Sequence, residues 1–249
     1  MNKILVDRNI VNNIDGIIIR DNVIDINKSG DYEIEYSNLD EIDYIININN
    51  CDVVLYESSF DSEIKVNNIY NVNNGSLEVN KFYGNKNVNE EVIINLNEEN
   101  DKVRYNFSNI CIGEERYIIN INHKNKLTES TISNKSLTLK NSKIDFVINS
   151  NVIKDCNGSK LDQNTRIVTI DKCDTSVSPN MFIDLDDVEA KHGSVIGTFK
   201  DEQIFYLMSK GISYNDSLKL LIKGYLLGNA KVNIDVRKKI IDTIDMYWR

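Results

Sequence analysis

The stretch IDLDDVEAKHGSVIGTFKDEQIFYLMSKGISYNDSLKLLIKG, residues 183–224, contains the change of hydrophobic period that decides the fold. Its first part alternates like a strand. From Asp201 the apolar residues Ile204, Phe205, Leu207 and Met208 recur at helical spacing. A switch of period from two to 3.6 marks a change of architecture. The division that follows is a β core over residues 1–198 and a helical domain over 199–249.

Upstream of this boundary almost everything reads as short strands rich in Ile and Val. The segments 16–27, 32–37, 44–49, 53–57, 92–98, 117–122, 136–140, 144–149 and 166–171 are the clearest. β-Branched residues fit a pleated surface. The Asn, Asp, Ser and Gly between them suit turns, through side-chain hydrogen bonding and tolerance of positive φ. Such a series is compatible with a sandwich, a barrel or a β-helix. Asn-rich turns favour the β-helix, because turn Asn side chains stack from coil to coil, although no fixed repeat length is visible.

Downstream, three amphipathic helices are expected. Asp201 is placed to cap the first and Gly211 to stop it. Ser213 caps the second, with Asp216 in its first turn. Leu218, Leu221, Ile222 and Tyr225 form its stripe, and Gly228 ends it. Asn233 caps the third, whose stripe is Val236, Ile240, Ile241, Ile244 and Trp248. Helices this short must pack on each other, on the strand domain or on a partner.

Composition narrows the function. The formal net charge is −9 with no basic stripe, which argues against nucleic acid or an anionic membrane surface as partner. Asp7 and Arg8 interrupt the place where a signal peptide needs its apolar run, and no run approaches a membrane span. A cytoplasmic protein is the expectation. Cys51, Cys111, Cys156 and Cys173 are scattered without a CxxC, which argues against disulfides and against a zinc knuckle. No phosphate loop, dinucleotide fingerprint or Ser/His/Asp order is present, so no catalytic activity is expected of the chain alone.

One ordered string carries a resemblance. It consists of Asp186-Asp187-Val188, His192-Gly193, Gly197, Asp201-Glu202-Gln203, Phe205-Tyr206-Leu207 and Ser209-Lys210-Gly211-Ile212. Together with the Arg166-bearing strand and Pro179, it resembles the C-terminal signature of the SufB/SufD family of SUF iron–sulfur cluster assembly scaffolds. The match covers about the last third of the chain. The resemblance implies a right-handed parallel β-helix followed by a small C-terminal α-helical domain. It implies a dimer with a SufB-type subunit or with a second copy. It also implies that a SufC-type ABC ATPase docks on the segment from Asp201 to Gly228. Larger members carry an N-terminal helical region, which this chain is expected to lack. The HG after Lys191 and the absence of a cysteine around Arg166 make it SufD-like, although Ala190 stands where many SufD-like members have a cysteine.

In that family the histidine aligned with His192 lies at the dimer interface where a nascent cluster forms. His192 is therefore the candidate cofactor and metal ligand, holding a transient cluster across the interface. The isolated chain is expected to bind no stable cluster. The bland alternative is a strand-end His bonded to a turn carbonyl. For Cys156 and Cys173 the expectation is a small buried apolar residue. Cys51 and Cys111, in strand contexts, are given no role. His123, in NINHKNK, reads as solvated in a polar turn. Asp184, Asp186, Asp187 and Glu189 crowd one strand end, with alternation placing the first two on one face and the last two on the other. They invite a rival reading, a β-helical carbohydrate-active enzyme with paired carboxylates. A solvated edge is the simpler account. A third reading is a purely structural solenoid that recruits partners.

Overall fold

The computed structural model describes residues 2–6, 15–36, 40–60 and 63–247. In chain order the strands are β1 (Asn2–Val6), β2 (Ile17–Arg20), β3 (Val23–Ile26), β4 (Gly30–Tyr36), β5 (Glu41–Ile42), β6 (Ile45–Asn49), β7 (Asp52–Ser59), β8 (Glu63–Asn73) and β9 (Ser76–Tyr83). They continue with β10 (Asn87–Leu96), β11 (Lys102–Cys111), β12 (Glu114–His123), β13 (Glu129–Thr138), β14 (Lys143–Val152), β15 (Ser159–Thr169), β16 (Asp174–Ile183) and β17 (Val188–Gly197). The helices are α1 (Asp201–Ser209), α2 (Tyr214–Leu227) and α3 (Ile234–Tyr247).

From β6 onward, long strands fall alternately into two parallel sheets. One runs β1-β4-β7-β9-β11-β13-β15-β17, and the other runs β16-β14-β12-β10-β8-β6-β3-β2, with β5 beside β8. The chain thus winds as a parallel β-solenoid, and the β-helix reading holds against a sandwich or a barrel. One strand expectation needs correcting. Residues 16–27 form not one strand but an antiparallel hairpin, β2 on β3, because Asp21 takes φ 50° and reverses the chain.

Period two decides what is buried. In β12, Tyr117, Ile119, Ile121 and His123 face in, while Arg116, Ile118, Asn120 and Asn122 face out. Each coil stacks its inward Ile, Val, Leu and aromatic residues on those of the next, giving one continuous core from Ile24 to Ile167. Burying each such side chain favours folding by about 1.5–3 kcal/mol. Outward Asn residues form ladders between coils. Asn71 donates to Asn47 at 2.8 Å, Asn95 to Asn71 at 2.8 Å, Asn122 to Asn95 at 3.0 Å and Asn151 to Asn122 at 3.0 Å. Turn stacking occurs too. Asn74 donates to Asn50 at 3.0 Å, and both are in the left-handed region. The more extensive ladders, however, lie on strands.

The helices cover the outer face of the first sheet. Leu218, Ile222, Leu226, Ile240 and Ile244 pack with Phe82, Ile110, Leu137 and Val168 in a second core. Asn229 ties the α2–α3 turn to the sheet, donating to the carbonyls of Phe107 at 2.7 Å and Ser133 at 3.0 Å. Ser213 caps α2 through Asp216 N–H, and Asn233 caps α3 through Val236 N–H. At α1 the expected cap is displaced by one residue. Lys200 is the N-cap, without a side-chain cap bond, and Asp201 is the first helical residue. Its carboxylate still suits the positive end of the helix dipole. Gly211, at φ 86°, follows the C-cap Lys210. Trp248, the last position of the expected α3 stripe, lies outside the described residues. No described helix is long and apolar enough to cross a membrane.

Candidate functional site at the open end of the solenoid

The last two strands, β16 and β17, each end a sheet. Their inward positions therefore have no following coil above them. On β16 the inward residues continue the columns of β14, where Ile148 pairs with Pro179 and Ser150 with Met181. On β17, Leu161 is followed by Ala190, Gln163 by His192, Thr165 by Ser194 and Ile167 by Ile196. Paired residues on parallel strands project to the same face. His192 thus ends a column running Tyr32, Leu55, Val79, Tyr105, Ile132, Gln163, every member of which is buried. His192 itself is exposed. It stands on the interior axis of the solenoid, at its uncovered end, rather than on the outer wall.

The end strands leave apolar side chains exposed. Ile196, 46% exposed, shares the inward face of His192, whereas Phe182 and Val195, each 57% exposed, are at outward positions of β16 and β17. An edge strand with unpaired backbone groups on its free side is a pairing surface. Gly193 and Gly197 have nothing within 4 Å of the position a Cβ would take, so nothing crowds this strand from outside.

The other candidates lie apart from His192. Cys51, Cys111 and Cys156 are buried, and Cys173 is half-buried, with Ser142 Oγ donating to its Sγ at 3.6 Å. Burial raises the thiols of Cys51, Cys111 and Cys156 above their usual range, which keeps them protonated. Cys111 ends a strand as expected, but Cys51 sits in the corner between β6 and β7. His123 is not solvated. It is fully buried, bonded through Nδ1 to Thr128 Oγ1 at 2.7 Å and through Nε2 to Ser130 Oγ at 2.9 Å. Burial lowers its pKa to about 4, so it is neutral. Its inward strand position outweighs the polar residues that follow it.

The acidic residues do not form a site either. Asp184, Asp186 and Asp187 lie in the corner between β16 and β17, where strand alternation does not apply, and only Glu189 is in a strand. Glu189 pairs with Lys191 at 2.6 Å. Among the described residues no three His, Cys, Asp or Glu side chains converge to hold a metal ion.

Sequence reading assigned no role to the interior polar groups. Lys81 lies between Glu57 and Glu90 at 3.2 and 2.8 Å, all three side chains fully buried. Glu115 accepts from Tyr117 Oη at 2.7 Å and from Asn109 Nδ2, and burial pushes its pKa up to about 7. Strand parity alone signals these residues as inward.

The model described as "SUF system FeS cluster assembly, SufBD core domain" matches residues 56–225, more than half of the chain. The chain belongs to the SufBD family. Its matched region runs from the second half of β7 into α2, and so includes the open end and His192. The SufBD chain is 36% identical over 76 residues to an iron–sulfur cluster assembly SufBD family protein of Pyrococcus horikoshii, 29% of this chain and 17% of that protein. It is 38% identical over 52 residues to iron–sulfur cluster assembly protein SufD of Escherichia coli, 21% and 12% of the respective lengths. With SufD of Bacillus subtilis it shares 31% over 87 residues, 34% and 20% of the lengths. The matched stretches thus span at most a fifth of these three relatives.

Proposed function

We propose that this SufBD-family chain is a SufD-like scaffold subunit of the SUF iron–sulfur assembly machinery. Its open solenoid end pairs with a SufB-type subunit or a second copy. Its helices, from Asp201 to Gly228, dock a SufC-type ABC ATPase. The chain is not itself an enzyme, and the nascent cluster is cargo, held transiently between subunits. A cytoplasmic location goes with this role.

The observation that carries the reading is the position of His192. An exposed imidazole ends a buried column, on an edge strand whose free side is open, and no described part of the chain completes its surroundings. Imidazole and thiolate together ligate iron–sulfur centres, and a cluster needs about four protein ligands. Ala190 and Ser194 flank His192 on the same face and supply no thiolate. The remaining ligands then come from the partner or from sulfide delivered with the cluster.

The test is His192→Ala in the full complex, assembled anaerobically. Iron content is expected to fall roughly tenfold or more. Complex assembly and ATP hydrolysis stay nearly unchanged, because an exposed ring contributes little packing. Wild-type iron content in that variant would make His192 a structural residue. A carbohydrate-active enzyme is the weaker reading, since the carboxylates that suggested it lie dispersed around a corner.

A further inference from the structure

We infer that Gln163 is a positioning residue for His192, its side-chain carbonyl being the acceptor that holds one ring N–H and turns the other nitrogen toward the open end. This rests on the reading of His192 as a ligand. Gln163 is 2% exposed. Its Nε2 donates to Ser150 Oγ at 2.7 Å and to the Asn180 carbonyl at 3.3 Å, which uses both amide hydrogens. Because a carbonyl only accepts, the contact with Asn180 fixes which end of the amide is nitrogen. Oε1 is left buried without a partner among the described residues.

Buried acceptors rarely stay unmatched. Toward the interior, the next residue of the column is Ile132, which has no donor side chain. Toward the open end it is His192. Adjacent strands lie about 4.8 Å apart, and both side chains project to the same face. A rotation of the exposed imidazole toward the interior therefore brings a ring N–H onto Oε1. An imidazole has two similar nitrogens, and a metal-binding one is generally fixed by an oxygen acceptor on the nitrogen that does not bind metal. Gln163 meets that requirement from inside the solenoid. A purely structural Gln163 would instead serve only to tie the two sheets together through Nε2.

The experiment is a double-mutant cycle on the anaerobically assembled complex, read as iron retained. Gln163→Met is expected to lower retention about ten- to a hundredfold when His192 is present. In the His192→Ala background it should cause no further loss. Gln163→Leu, which also removes the acceptor without burying a charge, serves as the second variant should Gln163→Met fold poorly, with the same loss expected only when His192 is present. Nitrogen-15 spectra of the full chain give a readout independent of iron. With only two histidines, the buried His123 is an internal reference, and Gln163→Met should shift the ring nitrogens of His192 alone. Equal iron loss in both backgrounds, or unmoved His192 nitrogens, would overturn the inference. If His192→Ala by itself keeps wild-type iron, the ligand reading fails, and the spectra still decide whether Gln163 holds the ring.

Discussion

Lys81→Met is expected to lower the unfolding free energy by about 3–5 kcal/mol, the cost of removing one partner from a buried ionic group. Lys81 Nζ bridges Glu57 and Glu90 and lies 5.4–5.7 Å from the ring centroids of Tyr70, Tyr83 and Tyr105. Tyr70 donates to Glu57 at 2.7 Å and Tyr83 to Glu90 at 3.1 Å. Burial already raises the Glu90 pKa, with Lys81 opposing that shift. Without the ammonium, the Glu90 carboxyl is pushed further up. A raised acid favours the folded state fully below its unfolded pKa, about 4.5, and that advantage is lost as pH rises through the folded value. The deficit of Lys81→Met should therefore be small near pH 4.5 and largest at pH 8. Adding Glu57→Gln and Glu90→Gln should recover most of the loss, since amides carry no buried charge. Urea unfolding at the two pH values measures this. A loss under about 1 kcal/mol, or one independent of pH, would contradict a charged triad in the core.

The second large effect is on the proposed ATPase complex. The double variant Phe205→Asp, Tyr206→Asp should abolish co-purification of the ATPase. In α1, Phe205 and Tyr206 are each 63% exposed and Met208 is 40% exposed, while only Ile204 is buried. Tyr214 and Leu220 on α2 add 53% and 49% exposure. Aromatic anchors of this kind are worth about 2 kcal/mol or more each at an interface, so losing two weakens binding at least several hundredfold. The fold should be unaffected, because neither ring belongs to a buried core cluster. Truncation after Thr198 is a poorer test. It would strip the cover from Phe82, Ile110, Leu137 and Val168 and expose an apolar sheet face. ATPase binding that survives both substitutions, with the helical circular dichroism intact, would remove α1 from the docking surface.

Much of this architecture is legible in the sequence because it rests on parity. Period two marks the strands from the chain segment around Ile45 onward, and the change at Asp201 marks the helices to within one residue. The coil repeat is hidden for a physical reason. Ladder partners are separated by 24 residues between Asn47, Asn71 and Asn95, then by 27 to Asn122 and 29 to Asn151, and Asn149 to Asn180 is 31. Corners lengthen while the strands stay stacked, so no fixed period exists to be found. The same drift conceals which residues share a column. His192 stands out through its motif, whereas Gln163, 29 positions earlier, becomes its neighbour only when β15 and β17 are in register. His123 reads as solvated from its polar followers, yet its inward parity on β12 buries it. The acidic residues lie on a solvated edge, and only their division between two faces fails, because alternation does not carry through a corner.

For His192 to hold a cluster between subunits, β17 must be an interface. Hydrogen exchange of the amides in Val188–Gly197, compared between the isolated chain and the assembled complex, tests this directly. In the isolated chain the edge-facing amides should exchange rapidly, since β17 is bonded only to β15. In the complex they should become protected at least a hundredfold, corresponding to about 2.7 kcal/mol, with β11 and β13 unchanged. Exchange across Val188–Gly197 that is the same in both states would contradict the account, because His192 would then face solvent in the working assembly.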